Sequence, residues 1–356
     1  MAIGLRTLAA CAGALACASM TAAAPVADRP NLIIFGNSLS DTGNTAALTN
    51  TTAYWKGRFS NSYVWNEYAA RLLDMNLNNN AFGGATSNND ISPGTSSGVK
   101  VPSFHDQVSV WLKVNPTATQ FHLNNDVIEI EVGGNDLLNS AAALMSGAVP
   151  PVDFAARVAA SIASDVDTLA KAGYKNILVW NLPAADLSPN AISTGTSAII
   201  KPLVDLVNTA IAKAVGMIVQ KHGAAASGIH VLDLNALTRL VLQPAGMQAL
   251  GLTDAVDACY TKNAAGAASV CNNPDQHAFY DSIHPASRVH YLWGAVAAIL
   301  TRNPAATIDL GTVVSLAKKF DIAQSNNQNN IIAGNVPPSS TPTNPVPTPS
   351  PAPKCH

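Results

Sequence analysis

Charge is scarce in this 356-residue chain: Lys, Arg, Asp and Glu make up 12% of it, and the formal net charge is -2. Twenty basic residues against 22 acidic ones form no basic stripe for a nucleic acid and no polybasic patch for an anionic membrane. No nucleic-acid partner is therefore expected. Aromatic residues are also few, at 6%, while hydrophobic residues reach 48%, enough to bury a substantial core in one large domain or two smaller ones. Cysteine is rare, with five in all, and no cysteine or histidine cluster has the spacing of metal ligands. Neither a metal nor an organic cofactor is expected. What remains is an uncharged, Asn/Ser/Thr/Ala-rich composition that suits an extracellular protein.

The two ends of the chain agree with export. Arg6 precedes an apolar Ala/Leu-rich segment, and Ala22, Ala23 and Ala24 before Pro25 have the small-residue character of a signal-peptide cleavage site. Residues 1–24 are read as that signal, and their removal takes Arg6 from 20 basic residues against 22 acidic ones, for a net charge of -3. Two rival readings are weaker. As a membrane anchor the segment is Ala-rich, barely long enough and poor in flanking charge. As a lipoprotein signal, the LAAC run ending at Cys11 follows too short an apolar stretch.

Cys11 and Cys17 leave with the signal. Cys259 and Cys271 then bracket a short Ala/Gly/Asn loop, for which a local disulfide is the simple reading, contributing roughly 2–3 kcal/mol. Cys355 is left over. From about Asn326 the chain turns Asn/Gln-rich and then Pro/Ser/Thr-rich to its end, so 326–356 reads as a solvated tail and 25–325 as the folded domain. Such a tail resembles a stalk that attaches an enzyme to an insoluble substrate or a cell surface. Asn50 heads an Asn-Thr-Thr glycosylation sequon.

Between these ends, short apolar runs alternate with amphipathic stretches. Strands are expected at 32–35, ending near Phe82, at 127–132, at 176–182 and at 229–234. Helices are expected at 61–73, 153–172, 198–222 and 288–302, with Gly173 in helix-stop position. Ile128 and Ile130 alternate with Glu129 and Glu131, which points to partial exposure near a sheet edge. Alternation of strands and helices implies a parallel sheet covered on both faces, with the functional crevice at the carboxyl ends of the strands.

Four segments follow strand candidates at that edge. In FGNSLSDTGN (residues 35–44) the apolar run NLII breaks into a tight turn that exposes Ser38 either as a nucleophile or as a simple helix cap. AFGGATS places Gly83 and Gly84 where a residue without Cβ lets backbone N–H groups approach a ligand, and EVGGNDLL places Asn135, an uncharged directional donor. DSIHP sets Asp281 three residues before His284, close enough for the carboxylate to meet one imidazole nitrogen while the other faces a serine. Trp55, Phe59, Tyr63 and Trp65 read either as pocket lining or as plain core.

Together, and in this order, the four segments resemble the motif blocks of the SGNH-hydrolase (GDSL esterase/lipase) family, across residues 31 to about 302. The stretch AYWKGRFSNSYVWNEYA and the Cys-flanked loop resemble its secreted lipase/acyltransferase branch. The resemblance implies a three-layer α/β/α, flavodoxin-like fold with a central, mostly parallel five-stranded sheet. It implies a serine ester hydrolase acting on small-molecule or lipid acyl esters through an acyl-enzyme; a monomer is expected. Ser38 would be the nucleophile, His284 the base and Asp281 its orienter, with the Ser38 N–H, Gly84 and Asn135 as the oxyanion hole. Gly84 is favoured over Gly83 because it precedes the Ala85-Thr86 pair. Asn37 departs from the family, which usually has Asp there. Two other readings remain: an acetyl- or feruloyl-type esterase of plant polysaccharide, and an inactive surface-binding protein of the same fold. The serine lacks the G-x-S-x-G surroundings of the α/β-hydrolase elbow.

Overall fold

The structure, a computed structural model, describes residues 28–49, 54–263 and 265–334. The signal reading of residues 1–24, the Asn50 sequon, Cys355 and the tail beyond 334 lie outside the described residues.

Strands β1 (Asn31–Gly36), β2 (Asn76–Asn79), β3 (Val127–Glu131), β4 (Asn176–Trp180) and β5 (Gly228–Leu232) form one sheet in the order β2-β1-β3-β4-β5. Every neighbouring pair is parallel. Ile33, Phe35, Ile128, Ile130, Ile177 and Val179 pack into one core cluster. Helices α2 (Phe104–Val114), α3 (Gly134–Met145), α4 (Pro151–Lys171) and α5 (Ser197–His222) supply its other half. Leu32, Ile34, Leu178 and Trp180 belong to the opposite cluster, with α1 (Trp65–Leu73), α6 (Leu234–Val241), α7 (Ser287–Arg302) and α8 (Leu310–Lys319). The result is the three-layer α/β/α arrangement with flavodoxin-like strand order. Its topological switch point falls between β1 and β3, where a crevice opens at the strand ends.

Local chemistry explains the element ends. Ser103 starts α2 with a capping box, its N–H donating to Asp106 Oδ2 at 2.9 Å while Asp106 N–H donates back to Ser103 Oγ at 3.3 Å. Helix α1 begins at Trp65, four residues later than its periodicity suggests, because Asn61 is engaged elsewhere. Asn61 donates to Asp275 Oδ1 at 2.7 Å and accepts the Ser287 N–H at 2.8 Å, binding this segment to the start of α7. Helices α1 and α7 then approach closely at Gly294, where a Cβ would collide with the Trp65 carbonyl and Tyr68.

The Ile/Glu alternation of β3 does not mark a sheet edge. β3 is the central strand, and Glu129 and Glu131 are 0% and 2% exposed. Both faces of β3 are covered, so the alternation separates two buried layers. Glu129 is accommodated by hydrogen bonds from Trp180 Nε1 (2.7 Å) and Thr301 Oγ1 (2.8 Å). Strand β2 stops at Asn79, short of Phe82, although the Asn80 and Phe82 N–H groups still reach the carbonyls of Ile34 and Gly36. Packing continues past Ser325: Asn330 and Ile331 are buried, and Arg71 Nε donates to the Ile331 carbonyl at 3.3 Å.

Candidate active site

Strand β1 delivers its chain into a turn whose every part is tied down. Gln107 of α2 clamps Gly36, accepting its N–H and donating to its carbonyl, both at 2.9 Å. The Ser40 N–H closes onto the Asn37 carbonyl at 3.1 Å, and the Leu39 N–H donates to Asn37 Oδ1 at 2.9 Å. Ser38 stands at the apex, 7% exposed. Asp41, fully buried, accepts the N–H groups of Gly43, Asn44, Thr45 and Gly83, and so joins the first motif to the second.

The loop before α7 brings the histidine. His284 Nε2 lies 2.7 Å from Ser38 Oγ, and His284 Nδ1 lies 2.7 Å from Asp281 Oδ2. An ionised carboxylate only accepts, so Nδ1 carries the proton and Nε2 is left to accept from the serine hydroxyl. Asp281 Oδ1 accepts the N–H groups of Ile283 (2.9 Å) and His284 (2.8 Å), which folds the loop back on itself. Burial works against the Asp281 charge, but its electrostatic attraction to the His284 ring and the hydrogen bond from that ring, with those two N–H groups, hold its carboxyl down to about 2. Phe59 lies 5.1 Å from the His284 ring on one side, and Tyr54 donates to Asp281 Oδ2 at 2.7 Å. The Cys259–Cys271 disulfide closes the hairpin at 260–270, whose Tyr260 stacks on Tyr280 next to Asp281.

The oxyanion candidates lie across the turn. Gly84 has φ +87°, and a Cβ there would collide with the Thr95 carbonyl, so the position demands glycine. Gly83 has its N–H committed to Asp41, whereas the N–H groups of Ser38 and Gly84 meet no acceptor among the described residues. Asn135 sits in the first turn of α3 after Gly133, whose φ of +112° lets β3 turn directly into the helix. Its Nδ2 donates to the Ala85 carbonyl at 2.8 Å, which fixes the amide beside the Gly84 turn. Asp136 anchors the same junction by accepting the Ser87 N–H and Oγ; burial raises its carboxyl to about 6 against those bonds.

Ser38, His284 and Asn135 line a cavity of about 390 Å³, and Gly84 is not part of its wall. Leu137, Leu138 and Met145 of α3 and Ile199, Ile200 and Leu203 of α5 make much of the wall. Met145, Ile199 and Leu203 also line a second cavity of the same volume. Trp55, Phe59, Tyr63 and Trp65 do not line the first cavity. Trp65 is buried core bonded to Ser40 Oγ, Trp55 and Tyr63 pack edge to face, and Phe59 covers the histidine. His284 is the one histidine bonded to a serine among the described residues. His105, His122 and His222 pair with Asp165, Asp126 and Asp167, and His290 is fully buried, burial holding it neutral at a pKa of about 3.

Tyr54 and Asp41 also contribute to the site, although neither is among the residues that the sequence motifs single out. Tyr54 belongs to an aromatic-rich stretch where nothing distinguishes it from its neighbours. Asp41 carried a signal within the first motif, an Asx position followed by Gly43-Asn44.

A parallel 2-1-3-4-5 sheet with a linked serine, histidine and aspartate at its switch point defines a three-layer α/β protein equipped for acyl transfer. The chain belongs to the GDSL-like Lipase/Acylhydrolase family, whose model matches residues 32–295. It is similar to a thermolabile hemolysin of Vibrio parahaemolyticus, 31% identical over 163 residues, covering 44% of this chain and 35% of that one. It is likewise similar to a phosphatidylcholine-sterol acyltransferase of Aeromonas hydrophila, 30% identical over 173 residues, covering 46% and 47%. The chain thus spans half or less of these relatives' lengths. Among solved structures, Est24, a carbohydrate acetylesterase from Sinorhizobium meliloti, matches at 13% identity and a TM-score of 0.40, covering 77% of this chain and 99% of that one. A catalytic mutant of Axe2, an acetylxylan esterase from Geobacillus stearothermophilus, matches at 15% and 0.41, covering 78% and 95%.

Proposed function

We propose that Ser38, His284 and Asp281 form the catalytic triad of a secreted lipase-type ester hydrolase. The observation that carries this reading is the unbroken chain from Ser38 Oγ through His284 to Asp281, with both links at 2.7 Å. Ser38 Oγ attacks the acyl carbonyl and its proton passes to His284 Nε2. Asp281 holds the imidazole in the required tautomer and stabilises the imidazolium. The free N–H groups of Ser38 and Gly84, with the Asn135 amide, take the oxyanion. His284 then protonates the leaving alcohol, and water, activated by the same histidine, releases the acyl-enzyme.

The apolar cavity favours an aliphatic acyl group over an acetyl or hydroxycinnamoyl group on a polysaccharide. The name of the Aeromonas hydrophila relative makes phosphatidylcholine a reasonable lipid to test. Export rests on the N-terminal signal reading and on the disulfide, which suits an oxidising compartment. The Pro/Ser/Thr-rich tail would tether the monomeric domain near its substrate. A panel of p-nitrophenyl esters, phosphatidylcholine and acetylated xylan tests the substrate class. Cleavage of acyl and phospholipid esters is expected, and cleavage of xylan alone would overturn it.

A further inference from the structure

Asn37, the residue before Ser38, has a buried side-chain partner. Asn37 is 3% exposed, and each polar group of its side chain is used: Oδ1 accepts the Leu39 N–H at 2.9 Å, and Nδ2 donates to Glu131 Oε1 at 3.2 Å. Glu131, from the end of β3, is equally buried, and its Oε2 has no partner among the described residues. Both residues line the cavity onto which Ser38 opens, and among the described residues of that wall there is no lysine or arginine. Gln107 clamps the backbone of the nucleophile turn at Gly36; the Asn37–Glu131 pair holds it from the side chains.

The geometry requires a donor and an acceptor from residue 37. A carboxylate in place of this amide would still accept from Leu39, but its second oxygen would face Glu131 Oε1, acceptor against acceptor. Such a pair persists only while it shares a proton, as two adjacent carboxyls do. We propose that Asn37 and Glu131 are one positioning unit for Ser38 that holds a single carboxyl, and that the amide at 37 lets Glu131 change charge without displacing the nucleophile. The proposal rests on the reading of Ser38 as nucleophile.

Burial pushes the Glu131 carboxyl up to about 7, and the Asn37 hydrogen bond pulls against that rise, so its charge changes within the range of ordinary assays. The Asn37 amide N–H donates to either form. The surrounding groups on neighbouring elements give this charge little relief. Asp41, after β1, is taken up by four backbone N–H groups. Glu129, on β3 itself, is raised by burial to about 7. Trp180, its register partner on β4, is uncharged. On α7, His290 is neutral and Trp293 Nε1 has no hydrogen-bond partner among the described residues, and the loop before α7 supplies His284.

A double-mutant cycle tests the unit: wild type, Asn37→Asp, Glu131→Gln and the double variant. For each, kcat and KM on a short-chain p-nitrophenyl ester and Tm are measured from pH 5.5 to 9. Asn37→Asp is expected to lower kcat about tenfold at pH 8 with little change in KM, the loss deepening as pH rises and the shared proton leaves. The double variant regains most of that loss, because the amide introduced at position 131 donates to the carboxylate introduced at position 37 and a single carboxyl remains. A double variant no better than Asn37→Asp, or an Asn37→Asp profile that overlays the wild type, overturns the proposal. If a fluorophosphonate never labels the wild type, the nucleophile reading fails separately. The pair is then judged by Tm: a steeper drop with rising pH in Asn37→Asp than in the wild type or the double variant supports the unit, and four parallel profiles refute it.

Discussion

The Tyr54 hydroxyl and the His284 imidazole share one acceptor, Asp281 Oδ2, each at 2.7 Å. Burial first, then the Asp281 charge and hydrogen bond, push the Tyr54 phenol far above its ordinary range, so it stays a donor at every working pH. Tyr54 therefore shares the aspartate's charge with the histidine. Tyr54→Phe is expected to lower kcat by about tenfold, the scale of one hydrogen bond to a charged group. A kcat equal to that of the wild type would remove Tyr54 from the site.

Asn135 is the side-chain donor of the oxyanion hole in this reading. Asn135→Ala should cost roughly 100-fold in kcat with a much smaller change in KM, since its bond forms mainly in the transition state. Steady-state kinetics on p-nitrophenyl butyrate check it, and an equal rise in KM would point to ground-state binding instead.

Met145, Ile199 and Leu203 separate two cavities of about 390 Å³ each. If the first holds the acyl chain, each buried methylene adds up to about 0.8 kcal/mol to transition-state binding. Met145→Trp should then lower the ratio of kcat/KM for the decanoyl ester over the butyryl ester by roughly tenfold or more. A ratio unchanged by the substitution would place the acyl chain elsewhere.

Stability should fall on the alkaline side. Burial raises Glu129 and Glu131 to about 7 and Asp136 to about 6, so the folded state keeps protons that the unfolded state loses. Folding is helped by these groups below their ordinary values of 4.5 and 3.8, and that help is lost as pH rises through 6 to 7. Asp281 runs the other way: its contribution is present above 3.8 and disappears as pH falls through about 2. Calorimetry from pH 4.5 to 8 should show Tm declining by about 5–10 °C. A rising Tm over that range would contradict the burial of these three carboxyls.

Much of this was legible in the sequence because the site is built from chain-local motifs. FGNSLSDTGN, AFGGATS, EVGGNDLL and DSIHP each follow a strand or precede a helix, and the sheet order brings their ends together. The β3 glutamates misled because alternation records only that two faces differ; in a central strand it separates two buried layers. The aromatic segment left two readings open for a related reason. Residues 54–65 carry a mixture of roles, with Phe59 on the histidine, Trp65 in the core and Tyr54 on the aspartate, and the Tyr54 and Phe59 contacts, made across some 220 positions, leave no periodicity to read.

The central reading is that Ser38 is an activated nucleophile in a cooperating triad. Labelling by a fluorophosphonate probe, read by mass spectrometry of the modified peptide, tests this most directly. One adduct on Ser38 is expected, absent in Ser38→Ala and greatly slowed in His284→Ala. A folded, disulfide-bonded protein that never labels, or that labels on another serine, would contradict it.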